Sequence, residues 1–102
     1  MGILFKVNSC LNKDITITRK RWELITDIKH PIMKNKESDV KEAINNPDEV
    51  KVSKTDQNVF LYYRKKEPYI TCAVVRHENG GGFLITSYLT DKIKEGRTIF
   101  KK

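Results

Sequence analysis

The sequence predicts an α+β fold, in which N-terminal helices precede a four-stranded antiparallel β-sheet meander. Two observations lead to this prediction. Apolar residues recur with helical spacing ahead of Pro47, and beyond it they alternate with polar residues over four short segments. The connections between these segments are too short for crossover helices, so consecutive strands should pair antiparallel. A chain of 102 residues has room for one domain, which is expected to span 1–102.

The residues ahead of the first helix are expected to be extended. Apolar side chains alternate there with other residues, at Ile3, Phe5 and Val7 and again at Ile15 and Ile17. Thr18 is a favourable N-cap, which predicts that a helix begins directly after it. The apolar face of this helix repeats every three or four residues, at Trp22, Leu24, Ile25 and Ile28.

Pro31 is expected to end the first helix near His30, because the residue before a proline is disfavoured in the helical region. As the last residue of the helix, His30 is suited to capping it. A second helix is predicted from a narrow apolar stripe that the segment 45–47 terminates, formed by Val40, Ala43 and Ile44.

The four strands are predicted at about 50–53, 58–64, 69–77 and 82–90. Between the last two, Asn79 and Gly80 are typical of a type I′ hairpin turn, in which both residues have positive φ. The glycines at 80–82 precede a strand, and no Lys-Ser or Lys-Thr follows them. A hairpin turn is therefore predicted here in preference to a phosphate-binding loop.

One arrangement of the sheet places three apolar pairs under the helices, namely Val59/Leu61, Ala73/Val75 and Phe83/Ile85. The open face would then carry Tyr62, Arg64, Arg76, Thr86 and Tyr88. Such a face brings arginines and hydroxyls together, but the alternative is an ordinary solvated face of a half-exposed sheet. The choice depends on a strand register that the sequence does not fix.

The net charge of +7 favours polyanionic partners. Nucleic acid is the first candidate, an acidic protein the second, and simple solubility charge the alternative. Three consecutive basic residues, Arg19, Lys20 and Arg21, stand where a helix dipole disfavours positive charge, which indicates either anion binding or a solvated basic patch.

Composition also argues against several classes of protein. The two cysteines and two histidines show no spacing typical of a metal site, and no cofactor is expected. No apolar run approaches the about 20 residues that cross a bilayer, and the N-terminal segment lacks the features of a secretory signal. A cytoplasmic protein without a membrane partner is expected.

Several motifs in order resemble one ribonuclease superfamily. Trp22 is followed by His30-Pro31, then by INNPDEV at 44–50, LYYR at 61–64 and GFLITSYLT at 82–90. This order resembles the phage and mobile-element branch of the superfamily that unites barnase, EndoU, colicin and RelE ribonucleases, over about residues 15–95. The resemblance implies a RelE/barnase-like fold of helices followed by a four-stranded antiparallel sheet. It also implies metal-independent RNA cleavage, often by a toxin that acts against translation or phage growth.

The resemblance implies a catalytic set of His30, Arg76, Thr86 and Tyr88. In metal-free cleavage the ribose 2′-hydroxyl attacks the adjacent phosphate, which requires a base, an acid and groups that stabilise the phosphorane. Histidine ordinarily titrates near neutrality, which suits His30 to proton transfer. Guanidinium pairs with two phosphate oxygens, which suits Arg76 to the phosphorane. The substrate-binding residues are expected to be Arg64, Tyr62, Arg19, Lys20 and Arg21.

The leading hypothesis is therefore a metal-independent endoribonuclease that cleaves RNA by 2′-OH transesterification, as a toxin or phage-linked effector. A non-catalytic RNA-binding module that uses the same basic surface is the main alternative. A third possibility is a module that binds an acidic antitoxin or immunity protein.

Overall fold

A computed structural model describes residues 2–93 and 96–102. Met1 and positions 94 and 95, the last two of the stretch that carries the resemblance, lie outside the described residues. The described part of the chain forms one seven-stranded mixed sheet, in the order β1-β2-β6-β5-β4-β3-β7. The strands are β1 (Ile3–Asn8), β2 (Asp14–Thr18), β3 (Glu49–Val52), β4 (Val59–Lys66), β5 (Tyr69–Glu78), β6 (Gly81–Thr90) and β7 (Arg97–Lys101).

The predicted fold class, and with it the RelE/barnase-like architecture, is wrong. The chain does not begin with helices, because β1 and β2 form an antiparallel hairpin that joins the main sheet. This hairpin docks through a parallel pairing of β2 with β6, at Asp14 to Thr16. A further strand, β7, pairs antiparallel with β3. The four predicted strands are present as β3 to β6, but they are the inner part of a larger mixed sheet.

Two short α-helices follow the first hairpin, α1 (Arg19–Leu24) and α2 (Glu37–Asn45). The backbone N–H of Arg21 donates to Thr18 Oγ1 at 3.1 Å, so the predicted N-cap is confirmed. Beyond α1 the chain continues as a π-helical turn (Ile25–Lys29), and a 3-10 turn (Pro31–Met33) follows His30. None of the helices in the described part of the chain is long and apolar enough to span a bilayer.

The helices cover one face of the sheet, which we call the helix face. Trp22, Ile25 and Met33 from the first helical segment pack there with Val40 and Ile44 of α2. Their partners in the sheet are buried side chains of five strands, namely Ile15, Ile17, Val50, Tyr62, Ala73, Val75 and Leu84, while Leu4, Phe5, Val7 and Phe100 pack at the margin. Trp22 is only 6% exposed and is a core residue, as its helical spacing indicated.

The glycines between β5 and β6 serve two different purposes. Gly80 has a φ of +77°, whereas Asn79 is not among the residues with positive φ, so the predicted type I′ turn is wrong in that detail. Gly82 lies where the backbones of β5 and β6 approach closely, because an added Cβ would stand 2.2 Å from the carbonyl oxygen of Arg76. The glycine run therefore provides one turn residue and a close contact between strands.

Candidate functional site

The strand register decides which predicted site residues share a face. Tyr63 of β4 lies opposite Cys72 of β5, which in turn lies opposite Tyr88 of β6. A second row on the same side lies two residues further along each strand and consists of Leu61, Val74 and Thr86. These six residues define what we call the open face, since neighbours across strands point the same way and the helices lie on the other side. The open face is only partly solvated, because Tyr63 and Cys72 are fully buried.

His30 approaches the open face from the end of the first helical segment. Its backbone N–H donates to the carbonyl of Ile25 at 2.6 Å, a five-residue spacing that closes the π-helical turn. Pro31 then starts the 3-10 turn, so His30 is held between two short helical turns. Its imidazole lies 5.6 Å from the ring of Tyr88, centroid to centroid, with the planes tilted by 45°. Single π turns are frequent at functional sites, and this one places the only histidine of the segment against β6.

Tyr88 keeps its proton at neutral pH. Burial raises the pKa of the Tyr88 phenol well above its ordinary value, and the neighbouring Cys72 thiol and Tyr63 phenol raise it further. A phenol with a raised pKa is a hydrogen-bond donor and not a base in the neutral range. The Tyr88 hydroxyl is already hydrogen-bonded to Cys72 and Tyr63, so a hydrogen bond to an anion beside His30 would replace one of these contacts.

Thr86 lies on the open face two residues before Tyr88, as the alternation along a strand predicts. Its hydroxyl oxygen is buried and has no hydrogen-bond partner within residues 2–93 and 96–102. A buried polar atom without a partner costs about 1–3 kcal/mol. A bound ligand that accepted a hydrogen bond from Thr86 would remove this cost.

Arg76 lies on the same side of the sheet but away from Tyr88. It is four residues along β5 from Cys72, the partner of Tyr88, which corresponds to about 13 Å of strand. Its guanidinium pairs with the carboxylate of Asp56 at 3.0 Å. That carboxylate has a lowered pKa, caused first by the backbone N–H of Asn58 and then by Arg76. The structure therefore places His30 against Tyr88, with Thr86 on the same side of β6, and places Arg76 further along the same face.

Two predicted substrate-binding residues, Tyr62 and Arg64, lie on the helix face and not on the open one. Tyr62 lies opposite Ala73 in the core and is fully buried. Arg64 donates to the backbone carbonyl of Asn46 at the end of α2 at 2.7 Å and lies 3.8 Å from Glu42. The expected arrangement is wrong because β4 has the opposite alternation, with Val59 and Leu61 on the open side.

The basic triplet Arg19, Lys20 and Arg21 forms the start of α1, as predicted. Lys20 and Arg21 line a groove of about 460 Å³ along α1 that also contains acidic residues, and the lining consists of Thr18, Lys20, Arg21, Glu23, Leu24, Asp27 and Ile28. The groove is thus mixed in charge, and neither His30 nor Tyr88 lines it. The structure does not join the triplet to the His30 and Tyr88 contact.

The sequence interpretation missed a second polar pair, formed by Tyr62 and His77. The Tyr62 hydroxyl lies 2.8 Å from His77 Nε2, and the imidazole stacks on Phe60 with 3.8 Å between ring centroids. Burial, and then the charge of Lys13, lower the pKa of His77 to about 4. β5 extends through Glu78 and carries the His77 ring into a half-buried position. Because residues two apart in a strand share a face, the placement of Ala73 and Val75 under the helices was the available signal for His77.

We expect His77 to make stability depend on pH. Protonation is harder in the folded state than in the unfolded one, so stability is present above pH 6.5 and is lost as pH falls from 6.5 to 4. Between pH 7 and pH 5 the wild type should lose about 1 kcal/mol more than His77→Gln, after allowing for solvent screening of a half-exposed ring. Urea unfolding at the two pH values measures this difference. Equal losses in both proteins would contradict the assignment.

Neither a cluster of metal-binding side chains nor a comparison with known proteins identifies the function of this site. In the part of the chain that the structure describes, no three His, Cys, Asp or Glu side chains gather closely enough to hold a metal ion. No protein-family model, curated protein or solved structure matches this chain. The functional assignment therefore depends on the geometry of the open face.

Proposed function

We propose that the chain is an endoribonuclease that cleaves RNA by attack of the ribose 2′-hydroxyl on the adjacent phosphate, without a metal ion. The observation that carries the proposal is the contact of His30 with Tyr88, 5.6 Å between ring centroids, beside the buried hydroxyl of Thr86. A proton acceptor and neutral hydrogen-bond donors at one point on a basic protein suit phosphoryl chemistry. The active site is the end of the open face that these three residues form.

In this proposal His30 accepts the proton of the attacking 2′-hydroxyl as the P–O2′ bond forms. The P–O5′ bond then breaks, and water protonates the leaving 5′-oxygen. Tyr88 donates a hydrogen bond to a non-bridging phosphate oxygen, because its raised pKa keeps the phenol protonated while negative charge develops on the phosphorane. Thr86 supplies a second hydroxyl on the same side of β6. Arg76 is too far along the sheet to reach the same phosphate, so it binds the RNA backbone at a neighbouring position.

The resemblance to the barnase, EndoU, colicin and RelE superfamily is supported by the convergence of three of its implied site residues. We infer a cytoplasmic toxin or phage-linked effector with RNA as substrate. The net charge of +7 also fits an acidic antitoxin or immunity protein as a partner. The fold is no support for this relationship, because the sheet has additional strands and a parallel pairing.

A specific observation favours a second candidate, a non-catalytic RNA-binding module. Both arginines expected to act on RNA, Arg76 at the phosphorane and Arg64 in substrate binding, are engaged within the protein, Arg76 with Asp56 and Arg64 with Glu42 and the end of α2. A binding module needs only positive surface charge, and its affinity for RNA falls with salt. An endoribonuclease cuts RNA and cuts it more slowly when one hydroxyl is removed from the open face, whereas a binding module leaves RNA intact.

Tyr88→Phe tests the two candidates against each other. The variant removes one hydroxyl, and we expect cleavage of a single-stranded oligoribonucleotide in EDTA to slow by about 10- to 100-fold, because one donor to the phosphorane is lost. Tyr69→Phe is the matched control, since Tyr69 is 49% exposed, and it should cleave at the wild-type rate. RNA binding without cleavage in all three proteins would favour the binding module and contradict the proposal.

A further inference from the structure

A second pocket lies on the helix face, at the end of the sheet where β4 begins and β5 ends. It has a volume of about 290 Å³. Its lining is mostly polar and comes from the β1–β2 turn, the approach to β4 and the β5–β6 turn, namely Lys13, Gln57, Asn58, Phe60, His77, Glu78 and Asn79. The open face does not contribute to it.

Hydrogen-bond donors and acceptors fix the proton on the imidazole that lines this pocket. The buried Ser9 hydroxyl oxygen accepts from the backbone N–H groups of Leu11 and Lys13, at 3.1 and 3.3 Å. Its own hydrogen is therefore directed to Tyr62, whose phenol is hydrogen-bonded by Ser9. A phenol that accepts from Ser9 has its single hydrogen left for His77 Nε2, which lies 2.8 Å away. This arrangement favours a neutral His77 with its ring proton on Nδ1, the tautomer on which the proposal rests.

The Nδ1–H group is held in place as a donor. Nδ1 has no hydrogen-bond partner among residues 2–93 and 96–102, while Nε2 is engaged by Tyr62. Stacking on Phe60, with 16° between the planes, and a backbone hydrogen bond from His77 to Asn58 fix the ring. The charge of Lys13 acts on the same imidazole. A ring N–H and an ammonium group that line the same pocket are complementary to an oxyanion.

We propose that this pocket binds a phosphate group, with His77 Nδ1–H and the Lys13 ammonium as its principal donors. The amide groups of Gln57 and Asn58 line the same space and supply further hydrogen bonds. Glu78 is the opposing charge in the lining, and as an exposed residue it weakens binding without preventing it. The proposal does not depend on RNA cleavage and concerns a different face of the sheet.

Histidine nitrogen NMR tests the proposal in the intact, ¹⁵N-labelled protein, and only two histidines need to be assigned. Before any ligand is added, His77 should show the Nδ1–H tautomer at pH 7. Inorganic phosphate, added at constant pH, should then shift the His77 signals saturably, with a dissociation constant of about 1–10 mM. His30 belongs to the proposed cleavage site, so its shifts are followed separately and do not enter this test. The Nε2–H tautomer of His77, or His77 shifts that stay linear in phosphate, would overturn the proposal.

Two charge variants and a second probe complete the test. Lys13→Gln should weaken phosphate binding by about 10-fold, because it removes a charge-assisted hydrogen bond. Lys92→Gln makes the same change beyond the opposite end of β6, about 30 Å away, and should leave binding unchanged. Wild-type affinity in Lys13→Gln would overturn the proposal. Adenosine 5′-monophosphate identifies the source of the phosphate, since tighter binding than inorganic phosphate indicates a nucleotide and equal binding indicates the free ion.

Discussion

Replacement of His30 by alanine is expected to lower the rate of RNA cleavage by about 10²- to 10⁴-fold, the usual contribution of a general base. The proposed mechanism has one proton acceptor beside Tyr88, and the imidazole of His30 is that group. Water would have to accept the 2′-hydroxyl proton in the variant. Initial rates on a single-stranded oligoribonucleotide in EDTA, at several pH values, measure the loss.

Chemical rescue and a variant of a neighbouring residue distinguish a catalytic role of His30 from a structural one. Added imidazole should restore part of the activity of His30→Ala, because the small base can occupy the space beside Tyr88. Ile32→Ala is the matched control, since Ile32 is 57% exposed in the adjacent 3-10 turn, and it should retain wild-type activity. An active His30→Ala protein, or one that imidazole does not rescue, would contradict the assigned role.

Gly82→Ala is expected to destabilise the fold by about 2–4 kcal/mol, the range of strong backbone and overpacking effects. The new methyl group would lie 2.2 Å from the carbonyl oxygen of Arg76, and a backbone atom of a paired strand cannot move aside independently. In a domain of this size the change corresponds to a fall of about 10–20 °C in Tm. Calorimetry or thermal circular dichroism measures it.

Gly80→Ala is the control for Gly82→Ala, because it measures the cost of the turn conformation without a close contact between strands. Gly80 has a positive φ but no atom within 4 Å of an added Cβ, so only the conformational cost of about 1 kcal/mol is expected. The variant at Gly82 should therefore be clearly less stable than the variant at Gly80. Equal stabilities would show that β5 and β6 are not as closely paired as the structure places them.

The first helical segment could be predicted because residues close to its ends determine it. The fold as a whole could not, because it depends on pairing between strands that are far apart in sequence. The Thr18 cap and Pro31 act within a few residues of the helix ends, and both ends were located correctly. The parallel pairing of β2 with β6 and the addition of β7 depend on strands far apart in sequence. Apolar alternation indicates that a segment is a strand but not which strand it joins, so a seven-stranded sheet was not anticipated.

The candidate site was predicted in part for the same reason. Thr86 and Tyr88 share a side because residues two apart in a strand always do, and His30 reaches them because the helix ends there. Tyr62 and Arg64 were assigned to the wrong side because β4 alternates in the opposite sense. A β-bulge between Val74 and Val75 also shifts the register of β6. A one-residue shift moves every later side chain to the other face, and local composition does not reveal it.

Cleavage of RNA through the 2′-hydroxyl leaves characteristic ends on the two fragments. The purified protein is incubated with RNA in EDTA, and the chemistry of the new ends is determined by mass spectrometry. Transesterification at His30 and Tyr88 predicts a 2′,3′-cyclic phosphate on one fragment and a 5′-hydroxyl on the other, both formed far more slowly by His30→Ala. Intact RNA, or fragments that carry a 5′-phosphate, would contradict the account.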